Sequence, residues 1–239
     1  MWFQGKDWKK TRQNIINTLN TLDIENSLLV VALSGGKDSL FLLTALASLE
    51  DKYSFELLPV HINHKIQKEN KLFENIAKTQ AKKLGKVCNV LEIEAIDKKK
   101  NLEEELRDKR YGLLEKFRKE NKAKYIITAH HLDDQAETIL AHIIRGSGIQ
   151  GLKGMKARNN KVIRPILNTS RAEIEKLIHS TNLPYYEDRM NYSKDYQRGK
   201  IRNVLIPLLG KEFNPQISKH LAKLGDLAQK HQNDIKKIL

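Results

Sequence analysis

Short apolar runs alternate with longer amphipathic segments over the first 145 residues of the chain. Four runs have the length and apolar content of buried strands, at residues 28–33, 55–61, 87–93 and 124–128. The segments between them have helical length and character, at residues 39–49, 68–84 and 101–122. This alternation predicts an α/β fold in which a parallel sheet carries helices on both faces. Ligands of such sheets bind beyond the carboxyl ends of the strands, so we expect functional residues directly after them.

The pattern changes in the carboxy-terminal third of the chain. Glycines interrupt the helical pattern at Gly146, Gly148, Gly151 and Gly154, and one more strand and helix are predicted at residues 162–166 and 171–180. We place a domain boundary near residue 210, between a main domain over residues 1–210 and a carboxy-terminal helical extension over residues 211–239.

The carboxy-terminal extension has a long apolar stripe. From Ile217 onward, apolar or half-apolar residues recur in a 4-3-4-3 spacing that describes one face of a helix: Leu221, Leu224, Ala228, His231, Ile235 and Ile238. Packing of this stripe on the main domain is favoured over a coiled coil. A homodimer formed through the stripe is the alternative, and a mass measurement in solution would test it.

Hydropathy and cysteine content exclude several classes of protein. The longest apolar run near the start of the chain, residues 28–33, is far shorter than the roughly 18 residues of a membrane span. Residues 1–10 lack the apolar core of a signal peptide, so we expect a cytoplasmic protein without a membrane partner. Cys88 is the only cysteine, which rules out an internal disulfide, a cysteine-rich zinc site and an Fe–S cluster held by this chain.

The positive charge of the chain is concentrated in its last third. The sequence carries 43 Lys and Arg against 29 Asp and Glu, a formal net charge of +14. Residues 151–239 hold 18 basic and 8 acidic residues, a surplus of 10, whereas residues 1–150 hold a surplus of only 4. This asymmetry favours a nucleic-acid partner, although a lysine-rich solvated surface would have the same composition.

A glycine loop follows the first predicted strand. Its six residues are Ser34, Gly35, Gly36, Lys37, Asp38 and Ser39. Backbone N–H groups at the start of the next helix would point toward phosphate oxygens, the glycines allow close approach, and the serines add hydroxyl donors. The loop lacks the four-residue glycine spacing of a P-loop. Asp38 is a candidate Mg²⁺ ligand, because a carboxylate beside polyphosphate is repelled unless a cation lies between them. An ordinary glycine-rich turn is the alternative.

A second glycine motif does not indicate a dinucleotide site. Residues 146–151 match G-x-G-x-x-G, but they follow a predicted helix over residues 134–145 rather than a strand. We interpret this segment as a flexible loop near the substrate, with Arg145 and Lys153 at its edges.

Titratable side chains gather after the fourth predicted strand, over residues 128–138. Asp134 and Glu137 are three residues apart, so on one helical turn they share a face and can bind a cation or an ammonium group. Capping of the helix by Asp133 and Asp134 is the alternative. His130 or His131 is a candidate to donate to a phosphate or to orient a reacting base, with a buried structural histidine as the alternative.

The glycine loop resembles the PP-loop of ATP pyrophosphatases, and the chain closely resembles the tRNA(Ile)-lysidine synthase family over roughly residues 25–210. Besides the loop, an ordered series of motifs carries the resemblance: 61–64 (H-x-x-H), 101–103 with Arg107, Arg110 and Tyr111, 128–138, 145–148, 151–155, 164–167, 187–188 with Asn191, and 196–202. A doubly covered parallel sheet is the fold that this resemblance implies.

The resemblance also implies a two-step reaction on the wobble cytidine of tRNA(Ile) with a CAU anticodon. ATP adenylates the C2 oxygen of the base, and the ε-amine of free L-lysine then displaces AMP to give lysidine. Mg²⁺ on Asp38 and Asp134 would offset phosphate charge, Glu137 would hold the α-ammonium of lysine, and His130 would assist catalysis. Arginines at the matched positions would contact the triphosphate or the tRNA: Arg107, Arg110, Arg145, Arg198 and Arg202.

The chain departs from the family pattern at two places. Lys65, Ile66 and Gln67 replace the usual G-L-R after the second histidine, and Gly199 replaces an asparagine. Fuller family members carry two further carboxy-terminal domains, so this chain is either a minimal form or part of a longer protein.

Three alternative functions fit the sequence less well. A tRNA-thiolating enzyme would need more cysteines, and amide-forming synthetases have little use for the basic last third. A non-catalytic tRNA-binding protein leaves the carboxylates unexplained.

Overall fold

The computed structural model describes residues 3, 5–65, 70–93, 102–186 and 197–238 of the chain, with side chains left out at 102–103 and 232–238. Six strands are found: β1 (Leu28–Ala32), β2 (Glu56–Asn63), β3 (Asn89–Glu92), β4 (Tyr125–Ile127), β5 (Arg158–Asn159) and β6 (Val162–Ile163). The α-helices are α1 (Gly5–Leu19), α2 (Lys37–Ala47), α3 (Glu50–Tyr53), α4 (Asn70–Lys83), α5 (Leu102–Glu120), α6 (Leu132–Ile144), α7 (Ile149–Leu152), α8 (Arg171–Ile178), α9 (Gln197–Lys200), α10 (Ile206–Glu212) and α11 (Ile217–Ile238).

The chain folds into two compact units that interleave along the sequence. Unit 1 comprises Met1–Ala129, Arg158–Pro165 and Ala172–Tyr186, and unit 2 comprises the remaining segments, His130–Ala157, Ile166–Arg171 and Glu187–Leu239. The domain boundary placed near residue 210 from the sequence stays a prediction.

Unit 1 is built on a six-stranded sheet in the order β3-β2-β1-β4-β6-β5. Four successive pairings, from β3 to β6, are parallel, and only β5 runs antiparallel to its neighbour β6. The predicted parallel α/β fold is therefore confirmed. The sequence pattern missed β5, because two exposed polar residues, Arg158 and Asn159, carry no strand periodicity.

Both faces of the central strand are buried, as the continuous apolar run predicted. Successive side chains of a strand point to opposite faces, and Leu29, Val30 and Val31 are all fully buried. Val30 belongs to a core cluster with Leu114 of α5. Phe41 of α2 is fully buried in an aromatic group with Trp8 of α1. None of the helices in the described ranges is both long enough and apolar enough to cross a membrane.

Unit 2 is helical, and its core lies between α6 and α11. The buried face of α11 is formed by Leu221, Ala222, Gly225 and Ala228, so the stripe predicted from the sequence is displaced by part of a turn, and Leu224 is 39% exposed. A Cβ atom at Gly225 would lie 2.7 Å from Ile139 Cδ1 of α6, so a larger residue there would force the Ile139 side chain to shift. Of the predicted stripe, Leu221 and Ala228 belong to this buried face.

The segment between α9 and α10 is a π-helix over Ile201–Leu205. The helical path from Gln197 to Glu212 therefore contains one widened turn, and Arg202 lies within it. Widened turns of this kind are rare and occur frequently at functional sites.

The core cluster on one face of the sheet can be tested with Leu114→Ala. Leu114 is 1% exposed and packs among the strands, so we expect the free energy of unfolding to fall by about 2–5 kcal/mol. Leu72→Ala on α4, where the side chain is 47% exposed, is the matched control and should change the free energy of unfolding by less than about 0.5 kcal/mol. Urea unfolding followed by circular dichroism measures both. Equal losses in the two variants would contradict this placement of the core.

Candidate functional site

The glycine loop connects β1 to α2 in unit 1, as predicted. Gly35 has a φ of +89°, which favours glycine, and a Cβ atom there would lie 3.0 Å from the carbonyl oxygen of Phe73. The hydroxyl oxygens of Ser34 and Ser39 are 3.0 Å apart, and Ser39 also donates to the Gly36 carbonyl oxygen at 3.0 Å. These bonds curl the backbone so that Gly36 becomes the N-cap residue of α2.

The start of α2 has the features of an anion site. Gly36 provides no side-chain oxygen to cap the first helical turn. Unsatisfied N–H groups and the positive end of the helix dipole coincide at such a terminus, and an anion is the ligand that satisfies both. Asp38 lies in this first turn and is partly buried.

Lys37 already has a carboxylate partner. Its side chain is buried, and its ammonium group donates to Glu175 of α8, also in unit 1. A phosphate that approached Lys37 would therefore share this cation with Glu175. This pair could not be predicted from the sequence, because 138 positions separate the two residues and Glu175 belongs to no motif.

The H-x-x-H motif spans the end of β2, with His61 inside the strand and His64 directly after it. The Nδ1 atom of His61 lies 2.9 Å from the carbonyl oxygen of Leu33, and burial lowers the pKa of His61. Burial, followed by the positive charges of Arg110 and His61, lowers the pKa of His64 to about 4. His64 is therefore neutral at physiological pH.

Arg107 and Arg110 lie beside the ring of Tyr111 on α5. Their guanidinium carbons are 5.9 and 5.5 Å from the ring centroid. Within the described residues, the buried Tyr111 hydroxyl and the Nδ1 atom of His64 have no hydrogen-bond partner. Buried polar atoms are normally satisfied, so a bound ligand is one way to complete this group.

The two adjacent aspartates at the start of α6 act as helix caps. His131 is the N-cap residue, its backbone N–H donates to Asp134 Oδ2 at 3.1 Å, and its Nδ1 accepts from the Asp134 backbone N–H at 3.4 Å. Asp133 accepts from the backbone N–H of Arg171 at 2.8 Å. Asp134 therefore caps α6, as the capping alternative described, whereas Asp133 caps the start of α8. Capping leaves a second role for Asp134 open.

Asp134 is held in the charged form. Burial alone would raise its pKa, but His131, His130 and Arg202 outweigh burial and lower the pKa of Asp134 to about 2. Asp134 is 9% exposed and accepts from Arg202 Nη2 at 3.0 Å. His130, which is half-buried, thus belongs to the electrostatic surroundings of this carboxylate.

Glu137 is enclosed by the two arginines of the widened helix. Its carboxylate is 2% exposed and accepts from Arg202 Nε at 2.6 Å and from Arg202 Nη2 at 2.9 Å. Arg198 Nε donates to it at 3.4 Å, a single and weaker contact. The structure therefore brings four predicted site residues of unit 2 together as a buried cluster of two carboxylates and two guanidinium groups.

The remaining predicted residues lie outside these clusters or outside the described residues. Arg145 is exposed at the carboxyl end of α6. Lys153, expected at the edge of a loop, is instead buried and donates to Gln150. Five motif residues lie outside the described ranges: Asn101, Glu187, Asp188, Asn191 and Tyr196.

The chain is similar in sequence to a known protein family and to curated relatives. The family model for the PP-loop domain matches residues 8–209. A tRNA(Ile)-lysidine synthase of Clostridium acetobutylicum is 36% identical over 94% of this chain and 50% of that relative, and one of Thermosipho africanus is 37% identical over 80% and 45%. The chain therefore spans about half the length of these curated relatives.

A solved structure shares the fold. The U34-tRNA thiolase NcsA from Methanococcus maripaludis, solved with its [4Fe-4S] cluster, superimposes with a TM-score of 0.79 at 20% sequence identity. The match covers 93% of this chain and 79% of the thiolase chain. At this identity the likeness concerns the fold alone.

The buried ion cluster can be tested with Arg202→Met. Removing this arginine leaves the buried Glu137 carboxylate without its bidentate partner, so we expect a loss toward the lower end of about 3–5 kcal/mol in the free energy of unfolding. Arg198→Met, which removes the longer 3.4 Å contact to Glu137 and leaves the Arg202 pair in place, is the matched control and should cost less than about 1 kcal/mol. Urea denaturation compares the two variants, and equal losses would contradict the unequal contacts.

The low pKa of His64 predicts an acid-dependent loss of stability. The unfolded chain, with an ordinary histidine pKa of 6.5, binds a proton more readily than the folded protein, whose His64 pKa is about 4. The contribution to stability is therefore complete above pH 6.5 and falls as the pH drops from 6.5 to 4. His64→Gln should flatten the pH profile of the unfolding free energy in this window. His231→Gln, at an exposed position of α11, is the control and should leave the slope unchanged.

Proposed function

Because the chain belongs to the PP-loop domain family, we propose that it carries the catalytic part of a tRNA(Ile)-lysidine synthase. It uses ATP to adenylate the C2 oxygen of the wobble cytidine in tRNA(Ile) with a CAU anticodon, and then attaches free L-lysine. The observation that carries the proposal is a match to lysidine synthases along most of the chain, together with a helix N-terminus suited to phosphate. These substrates place the reaction in the cytoplasm.

Two bond changes make up the proposed reaction. In the first, the C2 oxygen attacks the α-phosphorus of ATP and pyrophosphate leaves. In the second, the ε-amine of lysine attacks C2, AMP leaves, and the amine loses a proton. A poor leaving group is thereby converted into a good one. The residues of this chain bind the two substrates, orient them and stabilise the charge that develops on the leaving groups.

The glycine loop binds the departing pyrophosphate in this proposal. The N–H groups of the first turn of α2 and the hydroxyl groups of Ser34 and Ser39 supply hydrogen bonds without adding a charge. Lys37 supplies a positive charge, and its ion pair with Glu175 weakens its attraction for phosphate. Asp38, in the same first turn, is the residue we assign to Mg²⁺.

The carboxylate ligands that we assign suit Mg²⁺, a hard cation that keeps water and substrate phosphates among its ligands. The described residues contain no group of three or more acidic, histidine or cysteine side chains able to hold a metal by themselves. Mg²⁺ commonly binds through one or two carboxylates together with substrate phosphates and water, which fits Asp38 as a ligand. When bound, the ion would neutralise charge on the triphosphate. Because Asp134 also serves Arg202 and the helix cap, its role toward the metal stays a proposal.

Glu137 can receive the α-ammonium group of lysine only if a guanidinium group gives way. The cluster of Asp134, Glu137, Arg198 and Arg202 carries two charges of each sign, so an added ammonium competes with an arginine. The contact of Arg198 with Glu137 is the longer one, at 3.4 Å, whereas Arg202 contacts the same carboxylate at two points. A guanidinium group that leaves Glu137 would be available to the tRNA backbone. His130 stays a candidate to donate to a phosphate or to orient the reacting nucleobase.

Contacts with tRNA are proposed for the remaining basic residues. Arg107 and Arg110 lie with Tyr111 and the neutral His64, which suits a base stacked on an aromatic ring and bonded through its edge. Arg145 and the basic last third of the chain suit the backbone phosphates. A homodimer stays open, and a mass measurement in solution tests it.

Thiolation is not favoured as the chemistry of this chain, although a thiolase shares its fold. Cys88 is the only cysteine. The sequence predicted it inside a strand, but it lies just before β3. Burial raises the pKa of the Cys88 thiol to about 11, so the reactive thiolate is scarce at physiological pH. A single unreactive thiol cannot supply the several thiolates that an Fe–S cluster needs.

The proposed activity is tested by incubating the protein with ATP, Mg²⁺, labelled L-lysine and tRNA(Ile) bearing a CAU anticodon. We expect label in the tRNA that survives mild alkaline deacylation, together with release of AMP and pyrophosphate. Asp38→Asn should reduce the rate at least tenfold, because it removes the proposed metal ligand. Asp51→Asn, at an exposed carboxylate on α3, is the control and should keep the wild-type rate. Absence of stable label with the cognate tRNA at saturating concentration would overturn the proposal.

A further inference from the structure

A buried glutamine lies behind the glycine loop. Gln80 of α4 is fully buried, and its Nε2 atom lies 3.0 Å from the carbonyl oxygen of Gly35 and 2.8 Å from that of Pro184. Two carbonyl oxygens accept only, so the nitrogen end of the amide must face them. The side chain thus joins the loop to residues 183–186, a segment that is distant in sequence but belongs to the same unit.

The Gly35 carbonyl oxygen also accepts a second bond. The backbone N–H of Tyr186 donates to it at 3.0 Å, and Gly36 forms an isolated parallel bridge with Tyr186. The ring of Tyr186 contacts that of Phe73, with 4.3 Å between centroids. The Gly35 carbonyl is therefore fixed in direction by two donors, one of which is the Gln80 amide.

The direction of this carbonyl determines the direction of the next N–H group. In a planar trans peptide the C=O and N–H bonds point to opposite sides. With the Gly35 oxygen held toward Gln80 and Tyr186, the Gly36 N–H must point away from them. It has only a long contact of 3.3 Å, to the Ser34 hydroxyl, and it precedes the first turn of α2.

We propose that Gln80 is a positioning residue for phosphate binding: it holds the peptide between Gly35 and Gly36 in the orientation that presents the Gly36 N–H to an anion. This inference rests on the proposed function, in which the loop binds the pyrophosphate part of ATP. A peptide that is free to rotate would lose the phosphate donor and the curl of the loop. Without its side-chain donor, the Gly35 carbonyl would keep a single bond to Tyr186.

Gln80→Met tests the inference, because methionine has a similar length and volume but no donor. We expect the dissociation constants of inorganic pyrophosphate and of ATP to rise by roughly tenfold, with the dissociation constant of adenosine unchanged. Thr44→Val is the matched control: it removes a buried side-chain hydrogen bond from α2, to the Leu40 carbonyl at 2.8 Å, without touching the loop. Titration calorimetry measures binding, and circular dichroism verifies that each variant is folded.

Gln80→Glu provides a second measurement if the methionine variant does not fold. A carboxyl group has the same shape, but it donates only when protonated. The affinity of the Gln80→Glu variant for pyrophosphate should therefore increase, relative to that of the wild-type protein at the same pH, as the pH falls from neutral to mildly acidic. A ratio that does not change with pH contradicts the inference.

The outcomes separate the inference from the function on which it rests. A wild-type protein that binds ATP and pyrophosphate, with a folded Gln80→Met variant that binds both equally well, overturns the positioning role alone. Equal weakening of adenosine and pyrophosphate indicates general destabilisation and also overturns it. A wild-type protein that binds neither ATP nor pyrophosphate overturns both the inference and the proposed function.

Discussion

The end of β1 imposes the constraint on which the larger unit depends. This strand pairs with β2 over its whole length and with β4 at Leu29, Val30 and Val31, and it is buried on both faces. The ladder extends one residue further, where the Leu33 N–H donates to the Val60 carbonyl at 2.8 Å. Beyond that point the backbone leaves the sheet, and the polar groups of the glycine loop need new partners.

Those partners come from elements far along the chain. The amide of Gln80 and the backbone of Tyr186 satisfy the Gly35 carbonyl, and the serine hydroxyls satisfy each other and the backbone within the loop. The result is a loop in which the Gly35 carbonyl has two donors and the Gly36 N–H lies on the opposite side of the peptide, just before the first turn of α2. Burial of the central strand and the capacity to bind an anion thus have a common cause, which is the termination of a doubly buried strand at a helix N-terminus.

Periodicity predicted the parallel sheet and most helices to within a few residues, because the core of unit 1 depends on continuous apolar runs. It missed elements that depend on other interactions, such as the short strand at Arg158 and the π-helix around Arg202. Site residues were found where they belong to local motifs. Gln80 and Glu175 belong to none, and their partners are 45 and 138 positions away, so no local pattern could identify them.

The same limitation explains how the charged residues of unit 2 were interpreted. Asp134 and Glu137 share one helical face, and Arg198 and Arg202 are four residues apart, so each pair was assigned to a partner outside the chain. The structure instead pairs them with each other, across 61 to 68 positions of sequence. A buried cluster of this kind adds little net stability compared with apolar packing, so a functional reason for its presence is more convincing than a structural one.

Both candidate sites hold their cations against carboxylates. Lys37 is paired with Glu175 in unit 1, and Arg202 is paired with Glu137 and Asp134 in unit 2. The paired carboxylates fix the direction of each cation and limit the reorganisation that accompanies charge development in a reaction. They also weaken the attraction for a phosphate that merely approaches. An arrangement of this kind discriminates in favour of an anion that engages several donors together, as a triphosphate or pyrophosphate does, over an isolated phosphate that meets only one.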